Sequence, residues 1–241
     1  MINKTIIFVH IRKTAGITLR SLFKGQLSVD SYFKEKFPQH LKNLSTEKRK
    51  KIRFVSGHYP YGLHQLLPQD CVYMTLLRNP ADRIISLYKH LLRKGEGMTF
   101  RELINSEKNN QVLMIGENLN EAKKRLNEFI VVGTTERFDE TIVVLKTKIG
   151  LKKMYYCKKE NVGKNKIKID ENDLNYHKEI NKDDYEIYKY ANTLLNKAIK
   201  EYGWRFKIDL FLYKFTNRFL LKWYKKFQKF FLKFNSILRE K

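Results

Sequence analysis

The stretch TIIFVHIRKTAGITLRSLF over residues 5–23 constrains the fold of this chain more than any other. Residues 5–9 are β-branched or apolar without a break, the pattern of a strand covered on both faces and therefore central in a parallel sheet. His10 closes the run, and Ile11-Arg12-Lys13-Thr14-Ala15-Gly16 interrupts it with a turn. Ile17, Leu19, Leu22 and Phe23 then take helical spacing up to a stop near Gly25. Strand, tight loop and helix in that order leave free backbone N–H groups at the helix start, and Lys13 beside them makes a site for a multiply charged anion. A Walker A loop, GxxxxGK[ST], places its glycine before the lysine, whereas here Lys13 precedes Gly16. That order disfavours a triphosphate ligand.

Three further strands follow the same logic. Residues 52–56 run into Gly57-His58-Tyr59-Pro60, which sets His58 just past a strand's carboxyl end, where open α/β sheets bind ligands. Residues 72–77 run into Arg78-Asn79-Pro80-Ala81-Asp82, with Asn79 as a helix cap, Pro80 in the first turn and Asp82 at the positive end. Behind it Ile84, Leu87, Tyr88, Leu91 and Leu92 form one apolar face for the sheet. Arg83, Ser86, Lys89, His90 and Arg93 are left off that face. Residues 129–133 read as another strand and lead into a helix carrying Ile142, Val143, Leu145 and Ile149. Between these units, residues 26–51 read either as a substrate-facing excursion or as a surface helix pair with loops. Short helices are expected at 100–105, 112–115 and 121–127, a last short strand at 154–156, and a helix over 184–202. Strand and helix alternating in this way predict a mostly parallel sheet between helix layers.

The 241 residues carry a formal net charge of +24, which calls for an anionic partner: a nucleotide, nucleic acid, acidic glycan or anionic lipid. Part of the excess also fits a Lys-, Asn- and Ile-rich composition with no partner behind it. Cys71 and Cys157 show neither paired nor metal-ligand spacing and read as free thiols in a reducing compartment. No leader pattern precedes residue 5 and no long uninterrupted apolar run occurs, so a cytoplasmic protein is expected, peripheral at most to a membrane. The expected organisation is an α/β domain over residues 1–205 and a basic, aromatic segment over 206–241. In the latter, Leu220, Trp223, Tyr224, Phe227, Phe231, Phe234 and Leu238 fall on one helical stripe over 219–238, with lysines opposite. That amphipathic helix suits an anionic membrane surface, and equally suits packing across the domain or against a partner helix.

Taken together, these motifs resemble the PAPS-dependent sulfotransferases, in the branch of heparan sulfate 2-O- and 6-O-sulfotransferases and their bacterial relatives. The resemblance covers roughly residues 5–166. FVHIRKTAGITL is similar to the family's loop for the 5′-phosphosulfate of 3′-phosphoadenosine 5′-phosphosulfate (PAPS). TLLRNPADRIISLYKH is similar to its 3′-phosphate signature, with seven residues between Arg78 and Ser86. SGHYPYG, NNQVLMIG and VVGTTERFDETIVVL are further echoes. The resemblance implies a P-loop-like three-layer α/β/α sandwich. It assigns Arg12, Lys13, Thr14, Ala15, Gly16, Ile17 and Thr18 to the 5′-phosphosulfate, Arg78 and Ser86 to the 3′-phosphate, and His58 to the role of general base. The basic region 163–168, with Lys164, resembles a loop that closes over the nucleotide. Ile17 stands where that family has a small hydroxyl residue, which leaves Thr18 as the remaining hydroxyl.

The residues suit this chemistry on their own terms. Sulfuryl transfer requires a base for the acceptor's proton and positive charge where the leaving group gains negative charge, tasks that suit His58 and Lys13. No carboxylate pair or metal cluster is evident. The acceptor expected is a hydroxyl on a carbohydrate or glycolipid. His58 also reads as a structural hydrogen bonder, with His10 or His64 as the base instead, and Glu136 reads as structural. A nucleotide-dependent kinase or NTPase, and a non-enzymatic basic protein bound to membrane or nucleic acid, are the alternative functions.

Overall fold

The computed structural model describes residues 4–34, 38–151, 169–220 and 223. The strand expected at 154–156, Cys157, the basic loop with Lys164 and nearly all of the stripe over 219–238 lie outside the described residues.

Five strands form one parallel sheet in the order β2-β3-β1-β4-β5: β1 (Thr5–Val9), β2 (Tyr32–Phe33), β3 (Phe54–Gly57), β4 (Cys71–Leu77) and β5 (Val131–Thr134). The central position expected for residues 5–9 is observed, since β1 pairs with β3 on one side and β4 on the other. The region read as excursion or helices holds the short edge strand β2 together with two short helices, α2 (Gln39–Lys42) and α3 (Thr46–Lys51), and two residues are too few to give β2 a detectable period.

Alternate residues of β1 feed opposite helix layers, as the period of a strand requires. Ile6 and Phe8 pack with Leu19, Leu22 and Phe23 of α1 (Gly16–Lys24) and with Ile142 and Leu145 of α8 (Phe138–Ile149). Ile7 and Val9 pack with Val112 of α6 (Asn110–Leu113) and with Ala122 and Leu126 of α7 (Leu119–Glu128). The long helix α10 (Lys182–Tyr202) runs along β5 and serves both layers, with Ile187 and Ala191 in one and Leu195 in the other. The fold is therefore the expected α/β/α arrangement.

The helix α4 (Pro80–Arg93) has the local chemistry read from the sequence, Asn79 Oδ1 accepting from the N–H groups of Ala81 and Asp82 at 3.1 and 3.3 Å. Its apolar face differs from expectation. Ile84, Leu87 and Leu91 pack on α5 (Phe100–Ser106) and on Leu174 of α9 (Glu171–Ile180) rather than on the sheet, and Leu92 is exposed. Arg83, expected off the buried face, is fully buried. Its Nη1 donates to Glu107 Oε2 at 2.8 Å, and Asp184 lies 4.0 Å from Nη2. A buried guanidinium needs such carboxylates, and both come from elements distant in sequence that no local pattern links to Arg83.

After Gly203 the chain enters α11 (Arg205–Phe215), followed by a π-helical turn Thr216–Leu220. Phe206 and Tyr213 sink into the core beside α8. Trp204, Ile208, Phe211, Leu212, Phe215 and Phe219 stay exposed. Among the described residues no helix is long and apolar enough to cross a membrane.

Candidate active site

Every strand of the sheet except β2 ends at one cleft. His10 follows β1, His58 follows β3, Arg78 follows β4 and Thr135 follows β5, and all four line a cavity of about 500 Å³. This is the position in which parallel α/β sheets bind ligands, and the volume lies within the range of about 300–1,000 Å³ typical of small-molecule sites.

The floor is the loop between β1 and α1. Lys13 and Ala15 both adopt left-handed backbone conformations, with φ of 68° and 63°, which cost energy for residues that carry a Cβ. The loop is held in that shape by the Thr14 hydroxyl, which donates to Ile11 O at 2.8 Å, and by Arg78 Nη1, which donates to Lys13 O at 3.2 Å. Gly16 opens α1 directly beneath the imidazole of His10. A Cβ there would lie 2.8 Å from His10 Cε1 and closer still to Cδ2 and Nε2, so a larger residue would force the ring and the helix apart.

The two histidines form a stack, with ring centroids 4.3 Å apart and a further stack from His10 onto Phe8 at 5.2 Å. His58 Nδ1 lies 2.8 Å from the carbonyl oxygen of His10. Because a carbonyl only accepts, Nδ1 carries the proton, and Nε2 of the neutral ring is left as a free base. Burial, then the neighbouring Arg12 and Arg20, pull the His58 pKa below 6.5 against the opposing pull of that hydrogen bond. His10, more deeply buried and beside His58, is pushed well below 6.5 and stays neutral. Lys13 is also lowered, by burial first and then by Arg93 and Arg78. A cation crowded by cations gains most from an anionic ligand.

Of the residues singled out in the sequence, Arg12, Lys13, Ala15, Gly16, Ile17, Thr18, His58, Arg78 and Ser86 line the cleft together. Thr14 is buried under it, its hydroxyl spent on the loop itself. Ile17 is 39% exposed and turns an apolar side chain to the cleft in place of a hydroxyl. Lys164 lies outside the described residues. His64 is elsewhere, bonded through Nδ1 to the Tyr73 hydroxyl at 2.8 Å beside a second cavity. Glu136 accepts from Asn79 N at 3.0 Å, the structural role expected of it.

Arg20, Lys89, His90 and Arg93 also line the cleft and went unassigned in the sequence. The signal for three of them was present, since Ser86, Lys89, His90 and Arg93 recur at i, i+3, i+4 and i+7 and so share one face of α4. That face presents cations along one wall, with Asp82 as the acidic residue at its start. The cleft therefore has one cationic arm at the loop of Lys13 and another at Arg78 and Ser86, with a free imidazole nitrogen beside them. Such a donor set fits a nucleotide phosphorylated at both ends of its ribose. Among the described residues no group of three or more His, Cys, Asp or Glu side chains is placed to hold a metal ion.

A family model described as "Sulfotransferase family" matches residues 3–191. Among solved structures, the chain is similar to a sulfotransferase from Alicyclobacillus acidocaldarius at 14% identity, over 81% of this chain and 97% of that one, with a TM-score of 0.50. It also matches mouse sulfotransferase SULT7A1 complexed with PAP at 13% identity and a TM-score of 0.44, spanning 73% of this chain and 62% of the mouse chain. At such identities the first likeness speaks for the fold alone. No curated protein sequence matches the chain.

Proposed function

Because this chain belongs to the sulfotransferase family, whose members are enzymes, we propose that it transfers a sulfuryl group from PAPS to a hydroxyl. The observation that carries the reading is the convergence of Lys13, Arg78, Ser86 and the unprotonated Nε2 of His58 on one cleft. The donor supplies an activated sulfuryl group when bound. Arg78 and Ser86 hold its 3′-phosphate, and the loop from Arg12 to Thr18 holds its 5′ end through backbone N–H groups and the Lys13 ammonium. His58 takes the acceptor's hydroxyl proton at Nε2 as the new oxygen–sulfur bond forms. Lys13 stabilises the phosphate oxygen that keeps the electron pair of the broken sulfur–oxygen bond.

The acceptor is proposed to be a carbohydrate or glycolipid hydroxyl. Binding of 3′-phosphoadenosine 5′-phosphate (PAP) without magnesium, no binding of ATP with magnesium, and label transfer in a PAPS screen over glycans, phenols and lipid-linked sugars would support this function. Tight ATP binding with PAP excluded would favour a kinase or NTPase instead.

A membrane-associated setting is the second proposal, that of a cytoplasmic enzyme held at the inner membrane face. It is favoured by the outward face of α11 and of the turn after it, where Ile208, Phe211, Leu212, Phe215 and Phe219 are exposed while the other side of α11 is docked on α8. Lys207, Lys214 and Arg218 flank that face, the arrangement of an interfacial helix on anionic lipid. Co-sedimentation with phosphatidylglycerol vesicles should fall sharply for Phe211→Ser/Phe215→Ser, and pelleting equal to the unsubstituted chain would refute it.

A further inference from the structure

The Arg78 arm is gripped from behind by a side chain that takes no part in lining the cleft. Gln111 is fully buried, and its amide meets the Arg78 peptide with both functions. The Arg78 N–H donates to Gln111 Oε1 at 2.9 Å, and Gln111 Nε2 donates to Arg78 O at 3.0 Å. Arg78 sits where β4 has ended and α4 has not begun, so neither the sheet ladder nor the helix satisfies these two backbone groups. The amide substitutes for a strand at that point.

Gln111 is itself anchored. Its own N–H donates to Asp184 Oδ2 at 3.2 Å and that of Val112 to Asp184 Oδ1 at 3.0 Å. Asp184 is buried on α10 and faces Arg83, with Glu107 beyond it. The turn that precedes Gln111 is fixed to the same helix, since Asn109 N donates to Asn181 Oδ1 at 2.7 Å and Asp184 N to Asn109 Oδ1 at 3.3 Å. Glu107 opens this turn and reaches the other arm, its Oε1 lying 3.5 Å from Arg12 Nη1.

Resting on the sulfotransferase reading above, we infer that Gln111 is a positioning residue for the 3′-phosphate, acting through the backbone of Arg78, and that Asp184 and Asn181 moor it to α10. The segment 107–111 thereby spans the two cationic arms and sets their separation. Removing the amide leaves the Arg78 N–H and C=O unpaired and lets the strand tip shift, while the loop of Lys13 keeps the hydrogen bond from Thr14 to Ile11 O and stands to lose only the one that Arg78 Nη1 gives to Lys13 O.

The consequence is selective. A residue that merely supports the fold would weaken every nucleotide alike, whereas Gln111 should weaken only ligands that carry a 3′-phosphate. Titration calorimetry on the full chain with PAP and with adenosine 5′-monophosphate separates the two. In the unsubstituted chain PAP binds more tightly than the monophosphate. In Gln111→Met, which conserves volume without polar atoms, the preference for PAP should fall at least about tenfold while affinity for the monophosphate changes by less than about twofold. In an Arg78→Ala background the same substitution should change nothing further. Gln111→Asn, which keeps both amide functions on a shorter stem, provides a second variant of smaller effect should Gln111→Met fail to fold. Equal weakening of both nucleotides, or none, would overturn the assignment. An unsubstituted chain that binds PAP no better than the monophosphate would instead remove the 3′-phosphate reading of Arg78, and this inference with it.

Discussion

Gly16→Ala places a methyl group where the His10 imidazole already stands. The new Cβ would lie 2.8 Å from Cε1 and closer to two other ring atoms, whereas non-bonded carbons settle near 3.5–4.0 Å, so ring and helix must part by about 1 Å or more. Neither can yield freely, because His10 is sandwiched between Phe8 and His58 and the first turn of α1 is buried by Leu19. Overpacking of this kind costs about 1–3 kcal/mol. At about 2 kcal/mol a chain of this length should melt about 4–8 °C lower. The effect on turnover should be larger than the effect on stability, because the displaced elements are the stacking partner of His58, the proposed base, and the loop proposed to hold the donor's 5′ end, and a shift of about 1 Å in a reacting group costs on the order of 10²-fold. Thermal melts and PAPS turnover on the same preparations test both figures. The double variant His10→Ala/Gly16→Ala removes the clash while the backbone carbonyl that holds His58 remains, so it should recover most of the lost melting temperature. A Gly16→Ala protein with unchanged melting temperature and turnover would refute the packing argument.

Other expectations follow from the buried charges. Since burial lowers the His58 pKa and the proposed base acts through the unprotonated ring, kcat/KM should be flat above neutrality and fall on an acid limb with a midpoint below pH 6.5; a midpoint above 7 would contradict the assignment. His177 is buried, lies edge-on to Tyr185 and is pushed down to about 4 by burial and then by Arg83, so the folded state binds fewer protons than the unfolded one. Stability from this group is whole above pH 6.5 and lost as pH falls towards 4, and denaturant titrations should show His177→Gln gaining about 3 kcal/mol relative to the unsubstituted chain across that window. Arg83→Met strands the Glu107 and Asp184 carboxylates and should cost about 3–5 kcal/mol by denaturant midpoint; a loss under about 1 kcal/mol would show that the pair tolerates separation.

The sheet and the cleft were legible because the motifs that build them are local. Residues 5–23 contain strand, loop and helix in one stretch, and the Asn79-Pro80 cap announces where β4 ends and α4 starts. His58 and Arg78 could be placed at strand tips for the same reason. What escaped was long-range. Nothing near Arg83 in sequence distinguishes it from Lys89 or Arg93, and its burial depends on Glu107 and Asp184, 24 and 101 positions away. Gln111 falls just before the short helix expected at 112–115 and stands in the sequence only as part of NNQVLMIG, because its hydrogen bonds go to the backbone of Arg78, which no side-chain pattern reports. On α4 the spacing finds the buried residues Ile84, Leu87 and Leu91 but also includes the exposed Leu92, and it assigns the face to the sheet instead of α5 and α9, since periodicity gives the face and not the neighbour.

The proposed transfer turns most on His58, the group assigned to take the acceptor's proton, with Lys13 acting on the leaving oxygen. The direct measurement is transfer of labelled sulfate from PAPS to the best hydroxyl acceptor by the unsubstituted chain and by His58→Ala, each with its PAP affinity determined alongside. Transfer by the former, loss of about 10²-fold or more in kcat for the latter, and PAP affinities that agree closely are expected if His58 is the base. Turnover by His58→Ala at the unsubstituted rate would contradict it.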